Sequence, residues 1–417
     1  MIKMTGGGVT AAKGFRAAGI SAGIKKNGAP DMAMICCDVP CRAAGTFTTN
    51  VVKAAPVIWD REIVTAGGKA QAVVVNAGIA NAATGQEGLA LCARTAEEAA
   101  SCLRAADPKY ADITKEMVLI GSTGVIGVQI PIDKICAGIP LLAEKLMPGT
   151  EAGQNAARAI MTTDTVMKEA AAVFSLSDGT EVTVGGCYKG AGMIHPNMCT
   201  MLCYITTDLS ITGELLQKAL RKVVPETFNM VSVDGDTSTN DTCLLLADGL
   251  AGNPEITAEN EDYDTFCEAL LLVATALAKM MAKDGEGATC LFECRVYGAA
   301  SDADAKLLAR SVVSSSLVKA AVAGHDANWG RIFCALGYAG AEFDPEKVDL
   351  TFESQAGSIV IAKDGVTVGF SEEKATEILS GDEIIATVDL HAGSGTAVAW
   401  GCDLTHEYVS INADYRS

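Results

Sequence analysis

The strongest constraint on the fold is an alternation that runs twice between residues 69 and 146. Lys69-Ala70-Gln71-Ala72-Val73-Val74-Val75-Asn76 is a short run rich in valine that ends in a glycine-bearing turn. Thr84-Gly85 then leads into an Ala/Leu/Glu segment with helical spacing over about 86–106. Met117-Val118-Leu119-Ile120 begins the cycle again, closed by a turn at 121–127 and followed by a helix over about 132–146. Runs this short and this uniformly apolar read as strands buried on both faces, which helices must cover. Strands are predicted around 171–184, and helices at about 213–224, 258–284 and 303–323. From about 348 the pattern alternates as strands do, with turns at Lys363-Asp364-Gly365 and Ser380-Gly381-Asp382. The class is therefore α/β, or mixed α+β, with sheets sandwiched between helices. An acidic, polar stretch at 254–264 is the candidate boundary between lobes.

A chain of 417 residues that is 49% hydrophobic and 20% charged can bury a sizeable core. The net charge of −19 and the absence of a basic run argue against nucleic acid or an anionic membrane as partner. Residues 1–17 lack the apolar core of a secretory signal, so the expected compartment is the cytoplasm. The apolar stretch at 269–282, interrupted by Lys279, reads as a buried helix too short to span a bilayer. Fifteen cysteines with no C-x-x-C spacing, and only four histidines, do not match a zinc ribbon or a thioredoxin-like site. Most cysteines sit among Ala, Val and Leu and are expected to be free, buried thiols.

One segment carries chemistry: Lys189-Gly190-Ala191-Gly192-Met193-Ile194-His195-Pro196-Asn197-Met198-Cys199-Thr200-Met201-Leu202. Pro196 fixes its own φ and turns His195 away from helix, so the approach to Thr200 is extended or kinked. A hydroxyl beside a strained carbonyl can break the chain between Cys199 and Thr200. Thr200 would then carry a free α-amino group, with an ordinary pKa of about 8, as the base for its own hydroxyl. By spacing alone, a threonine ahead of an apolar run is usually a strand residue or a helix N-cap.

This segment resembles the signature of the ornithine acetyltransferase (glutamate N-acetyltransferase) family of arginine biosynthesis, whose members cut themselves before a threonine in the context Lys-Gly-x-Gly-Met-Ile-x-Pro-Asn-Met-x-Thr-Met-Leu. Cys199 stands where the family usually has alanine. The resemblance implies the ornithine acetyltransferase / β-peptidyl aminopeptidase-like fold, an α fragment (1–199), a β fragment (200–417), a heterotetramer of two copies of each, and no cofactor or metal. It also implies N-acetylornithine and glutamate as substrates, with acetyl-CoA a further donor in some relatives. Thr200 would be the nucleophile, Thr123 and Gly124 the oxyanion hole, and Thr163, Lys189, Glu286, Asn412 and Ser417 substrate contacts. Thr162 is the alternative register for Thr163. A Ser-Thr-Gly turn after a buried strand suits an oxyanion hole, because glycine lets a backbone N–H approach the reacting atoms. Lys189 is the cation nearest in sequence to Thr200, and Arg416 could add another.

Four other matched stretches look structural: 14–19, 46–50 with 54–57, 234–242 and 324–331. Within them, Asp234-Gly235-Asp236-Thr237 resembles a calcium loop but lacks the closing glutamate, since its twelfth position is Leu245. The family's Asn-Ser-Gly-Asn-Ala-Asn-Ala stands here as Asn76-Ala77-Gly78-Ile79-Ala80-Asn81-Ala82, which removes two polar side chains. Two rival readings differ in class. A self-cleaving aminopeptidase or amidase of the same fold would use water as acceptor, and an uncleaved metabolite-binding protein would use Thr200 only as a packed strand residue.

Overall fold

The computed structural model describes residues 1–195 and 202–413, and within them the strands gather into two sheets. In chain order the first ten are β1 (Ile2–Thr5), β2 (Phe15–Ile20), β3 (Met32–Phe47), β4 (Lys69–Ile79), β5 (Val118–Val125), β6 (Lys168–Ser175), β7 (Glu181–Lys189), β8 (Leu202–Thr207), β9 (Val231–Ser232) and β10 (Thr242–Ala247). All but β9 form a nine-stranded sheet in the order β1-β6-β7-β8-β10-β3-β4-β5, with β2 paired to β3. The later strands are β11 (Leu291–Ala299), β12 (Asp349–Ser354), β13 (Gly357–Lys363), β14 (Val366–Thr367), β15 (Glu383–Asp389) and β16 (Gly395–Cys402). They join β9 in a seven-stranded sheet, β14-β13-β12-β15-β11-β16-β9. The mixed α/β class expected from the sequence is the observed one.

β4 shows why its sequence has no polar face. It runs parallel to β5 and antiparallel to β3. Val73 and Val75 face a core closed by the helix Thr150–Ile160, while Ala72 and Val74 face a second core built from the helices Gly85–Ala106 and Ile132–Glu144. Period-two alternation between two apolar layers gives a continuous apolar run.

The helix Glu261–Lys283 packs in the core that the two sheets share. It falls within the helix expected over 258–284, and at 23 residues it is long enough, by length and composition, to cross a membrane. In this fold Phe266, Leu270, Val273, Leu277 and Met281 are buried in a single cluster with β6, β7 and β8 on one side and β11, β15 and β16 on the other. Lys279, the residue that interrupts its apolar run, reaches Glu293 at 2.7 Å. Asn260 caps the N-terminus, its side chain accepting from the Tyr263 N–H at 3.0 Å.

Three expectations need correction. Residues 121–125 continue β5 instead of turning, because parallel pairing with β4 persists through Ser122–Asn76, Thr123–Ala77 and Gly124–Gly78. The helix expected over 303–323 is two, Asp302–Ser314 and Ser316–Ala323, since Ser315 turns extended (φ −70°, ψ 114°) and caps the second by accepting from Val318 N–H. The tail is not all strand. It contains the helix Glu372–Leu379, capped by Ser371, and the helix His406–Ala413.

Candidate active site

A cavity of about 120 Å³ opens where the ends of β5 and β7 meet the loops 161–165, 190–195 and 238–241. Thr123, Gly124, Thr162, Thr163, Lys189, Glu286 and Asn412 all line it. These residues come from segments spread over nearly 300 positions, and the fold brings every described candidate to one place. Both threonines of the ambiguous register face the cavity, so the structure does not separate them. Thr200, Cys199, Ser417 and Arg416 lie outside the described residues.

The oxyanion candidates sit at the end of β5. Gly124 has φ +129°, and a Cβ there would stand 2.2 Å from the Gly78 carbonyl carbon. Only glycine allows β4 and β5 this close an approach in that conformation. Ser122 donates its hydroxyl to Asn76 Oδ1 at 2.6 Å, which ties the two strand ends together beneath Thr123. The two departures from the family pattern are apolar here: Ala77 is fully buried, and Ile79 packs against the core of the Gly85–Ala106 layer.

The charged wall has a buried foundation. Lys168, with no exposed surface, bridges Asp164 Oδ1 at 2.7 Å and Asp284 Oδ2 at 2.5 Å. Asp164 also accepts from the backbone N–H groups of Thr162 (3.0 Å) and Gly190 (2.8 Å), and Asp284 from Thr165 N–H (3.1 Å). Burial would raise the Asp164 pKa, but Lys168 and Lys189 outweigh it and hold the carboxyl at about 2. Lys189, at the end of β7 and paired in register with Leu202, is 9% exposed. Burial pushes its ammonium below the usual lysine range, opposed mainly by Asp164 and also by Glu286 and Asp241.

Glu286, 8% exposed, lines the same cavity from the turn after the helix Glu261–Lys283. Its backbone N–H bonds to Ala191 O at 2.9 Å, and its Oε2 accepts from Asn412 Nδ2 at 2.7 Å. Gly192 makes room for that carboxylate, since a Cβ there would stand 2.3 Å from it. A buried ammonium and a buried carboxylate facing one small cavity suit a zwitterionic amino acid, whose charges they meet in opposite sense.

The sequence reading missed part of the lining. Ser238, Thr239 and Asn240, placed in a stretch read as structural, border the cavity. Asn240 Nδ2 donates to Ala80 O at 2.6 Å and Ser122 O at 2.7 Å, so it braces both oxyanion-side strands. Three consecutive short polar side chains, Ser238-Thr239-Asn240, were the available signal.

The pattern of the ArgJ family matches residues 16–417. The arginine biosynthesis bifunctional protein ArgJ 1 of Clostridium acetobutylicum is 50% identical over 97% of this chain and 96% of its own length. The arginine biosynthesis bifunctional protein ArgJ of Symbiobacterium thermophilum is 51% identical over 99% of both. A solved Mycobacterium tuberculosis ornithine acetyltransferase in complex with ornithine is 43% identical, covers 47% of this chain and 99% of its own, and superposes with a TM-score of 0.44. With half its residues shared with such relatives from end to end, the chain belongs to the ArgJ family.

Proposed function

We propose that this protein transfers an acetyl group from N-acetylornithine to glutamate in arginine biosynthesis, with acetyl-CoA as a second donor. It would act after cutting itself between Cys199 and Thr200. The observation that carries the reading is the convergence of Thr123, Gly124, Lys189, Glu286 and Asn412 on one small cavity, beside the strand that begins two residues after Thr200. The relatives' name, bifunctional protein of arginine biosynthesis, supports the same chemistry and does not favour the peptidase alternative.

In self-cleavage the Thr200 hydroxyl attacks the Cys199 carbonyl and the C–N bond breaks, leaving an ester and a free Thr200 amine. Water then hydrolyses the ester to a Cys199 carboxylate and restores the hydroxyl. In turnover that hydroxyl attacks the acetyl carbonyl of N-acetylornithine while the Thr200 amine takes its proton. The oxyanion is met by the Thr123 hydroxyl and the Gly124 N–H. The proton passes to the departing ornithine amine, and the glutamate amine then attacks the acetyl-threonine ester, so the transfer consumes no water. Thr163, Lys189, Glu286, Asn412 and Ser417 hold the amino-acid ends. A cytoplasmic heterotetramer of two 1–199 and two 200–417 fragments belongs to the same proposal.

Intact mass of freshly purified, active protein tests it. Two fragments, with an acetyl adduct on the one that begins at Thr200, are expected. A single 43.0 kDa chain with full activity would refute it. Thr200→Ala is expected to remain uncut and inactive. Ornithine release from N-acetylornithine that ignores added glutamate would favour the hydrolase instead.

A further inference from the structure

Met193, Ile194 and His195, the last described residues before the cleavage site, are fastened by a series of bonds to the segment 232–237 and to Arg310. Met193 has φ +55°, a left-handed conformation that a non-glycine residue rarely holds, and its side chain is 41% exposed, so packing does not impose it. The Asp234 carboxylate does: Oδ2 accepts from Met193 N–H at 2.6 Å and Oδ1 from Ile194 N–H at 2.8 Å. Val233 N–H bonds to Ile194 O at 2.7 Å, and the Thr237 hydroxyl to His195 O at 2.8 Å. The imidazole is gripped at both nitrogens, Nδ1 to Ser232 Oγ at 3.0 Å and Nε2 to Arg310 Nη2 at 3.1 Å. Arginine only donates, so Nε2 accepts and the ring proton sits on Nδ1, facing the serine oxygen. Burial and the Arg310 charge keep His195 below the usual histidine range, which favours this neutral form.

Every clamping residue follows Thr200 in sequence, and every clamped residue precedes Cys199. We infer that Asp234, together with the Ser232–His195–Arg310 relay, is a positioning clamp that holds the upstream limb of the scissile segment in its strained conformation for self-cleavage. The clamp acts by denying the 193–195 segment a relaxed backbone, so that the chain enters the scissile segment along one fixed course. The inference rests on the self-cleavage reading proposed above.

The test follows cell-free synthesis of the full chain, sampled over time on denaturing gels, with melting curves of each purified variant. Asp234→Asn loses one acceptor and His195→Ala loses the relay. Both are expected to cut about tenfold more slowly or worse, the effect of letting a reacting pair drift from its aligned geometry, while melting within a few degrees of the wild type. His195→Gln keeps an acceptor for Arg310 and a donor for Ser232, and is expected to restore cutting to within about threefold. Wild-type cutting rates in both Asp234→Asn and His195→Ala would overturn the clamp while leaving self-cleavage intact. A wild type that never cuts would instead remove the reading beneath it. Should Asp234→Asn fail to fold, the His195→Ala and His195→Gln pair decides alone, because it leaves the carboxylate in place; equal rates in that pair would sink the proposal.

Discussion

Asp164 shows how one side chain can set both a pH limit and a site's charge. Its carboxyl, near pKa 2 when folded, lies below the value of about 3.9 expected when unfolded. The stabilisation it brings is therefore complete above about pH 4 and is lost as pH falls through about 2, on the order of 2 kcal/mol in all. Asp164→Asn should flatten the fall in urea midpoint between pH 4 and 2. It should also cost about 3 kcal/mol at pH 7, because Lys168 would keep Asp284 as its one carboxylate partner among the described residues. Gly124 carries a different constraint. With φ +129° and the Gly78 backbone 2.2 Å from any added Cβ, Gly124→Ala should lower the melting temperature and abolish turnover together, measured by calorimetry and by acetyl transfer. The motif around Gly124 was readable in the sequence. That it is strand and not turn was not, because only pairing with β4 extends β5 that far.

At the scale of elements, two predictions separate site from scaffold. The helix His406–Ala413 has no buried residue, and Asn412 reaches from it to Glu286 at 2.7 Å. Asn412→Ala should therefore raise KM about tenfold, through one lost bond to a charged group, and leave the melting temperature unchanged. β6 carries Glu169, whose carboxyl burial pushes up to about 7 against a weaker pull from Arg158, and whose Oε1 is buried without a partner. A raised folded pKa means stability that is full below about pH 4 and lost as pH rises through about 7. Glu169→Gln should thus raise the melting temperature at pH 8.5 and leave it unaltered at pH 4. The tail helices escaped the sequence reading for a physical reason. In Glu372–Leu379 only Ala375, Ile378 and Leu379 are buried, a stripe too short to stand out from the surrounding strand alternation.

Across the whole molecule, burial sorts the cysteines. Of the fourteen described thiols Cys334 alone is exposed, with Cys102 and Cys136 partly so and their pKa values raised, chiefly by burial. Brief alkylation of native protein should label Cys334 first among these, as peptide mass mapping would read; fast labelling of Cys37 or Cys203 would contradict the packing. Local pattern alone determined the strands at 69–76 and 117–120 and the helices at 86–106 and 213–224. These depend on side-chain periodicity, capping and backbone freedom over a few residues. Tertiary structure decided what depends on distance across the chain: that Asn240 braces the oxyanion strands, that the apolar helix Glu261–Lys283 lies in a core shared by two sheets, and that Lys189 and Glu286 line one cavity. Those outcomes follow from which buried surfaces meet and which buried charges find partners, and no window of a few residues contains both halves of such a contact.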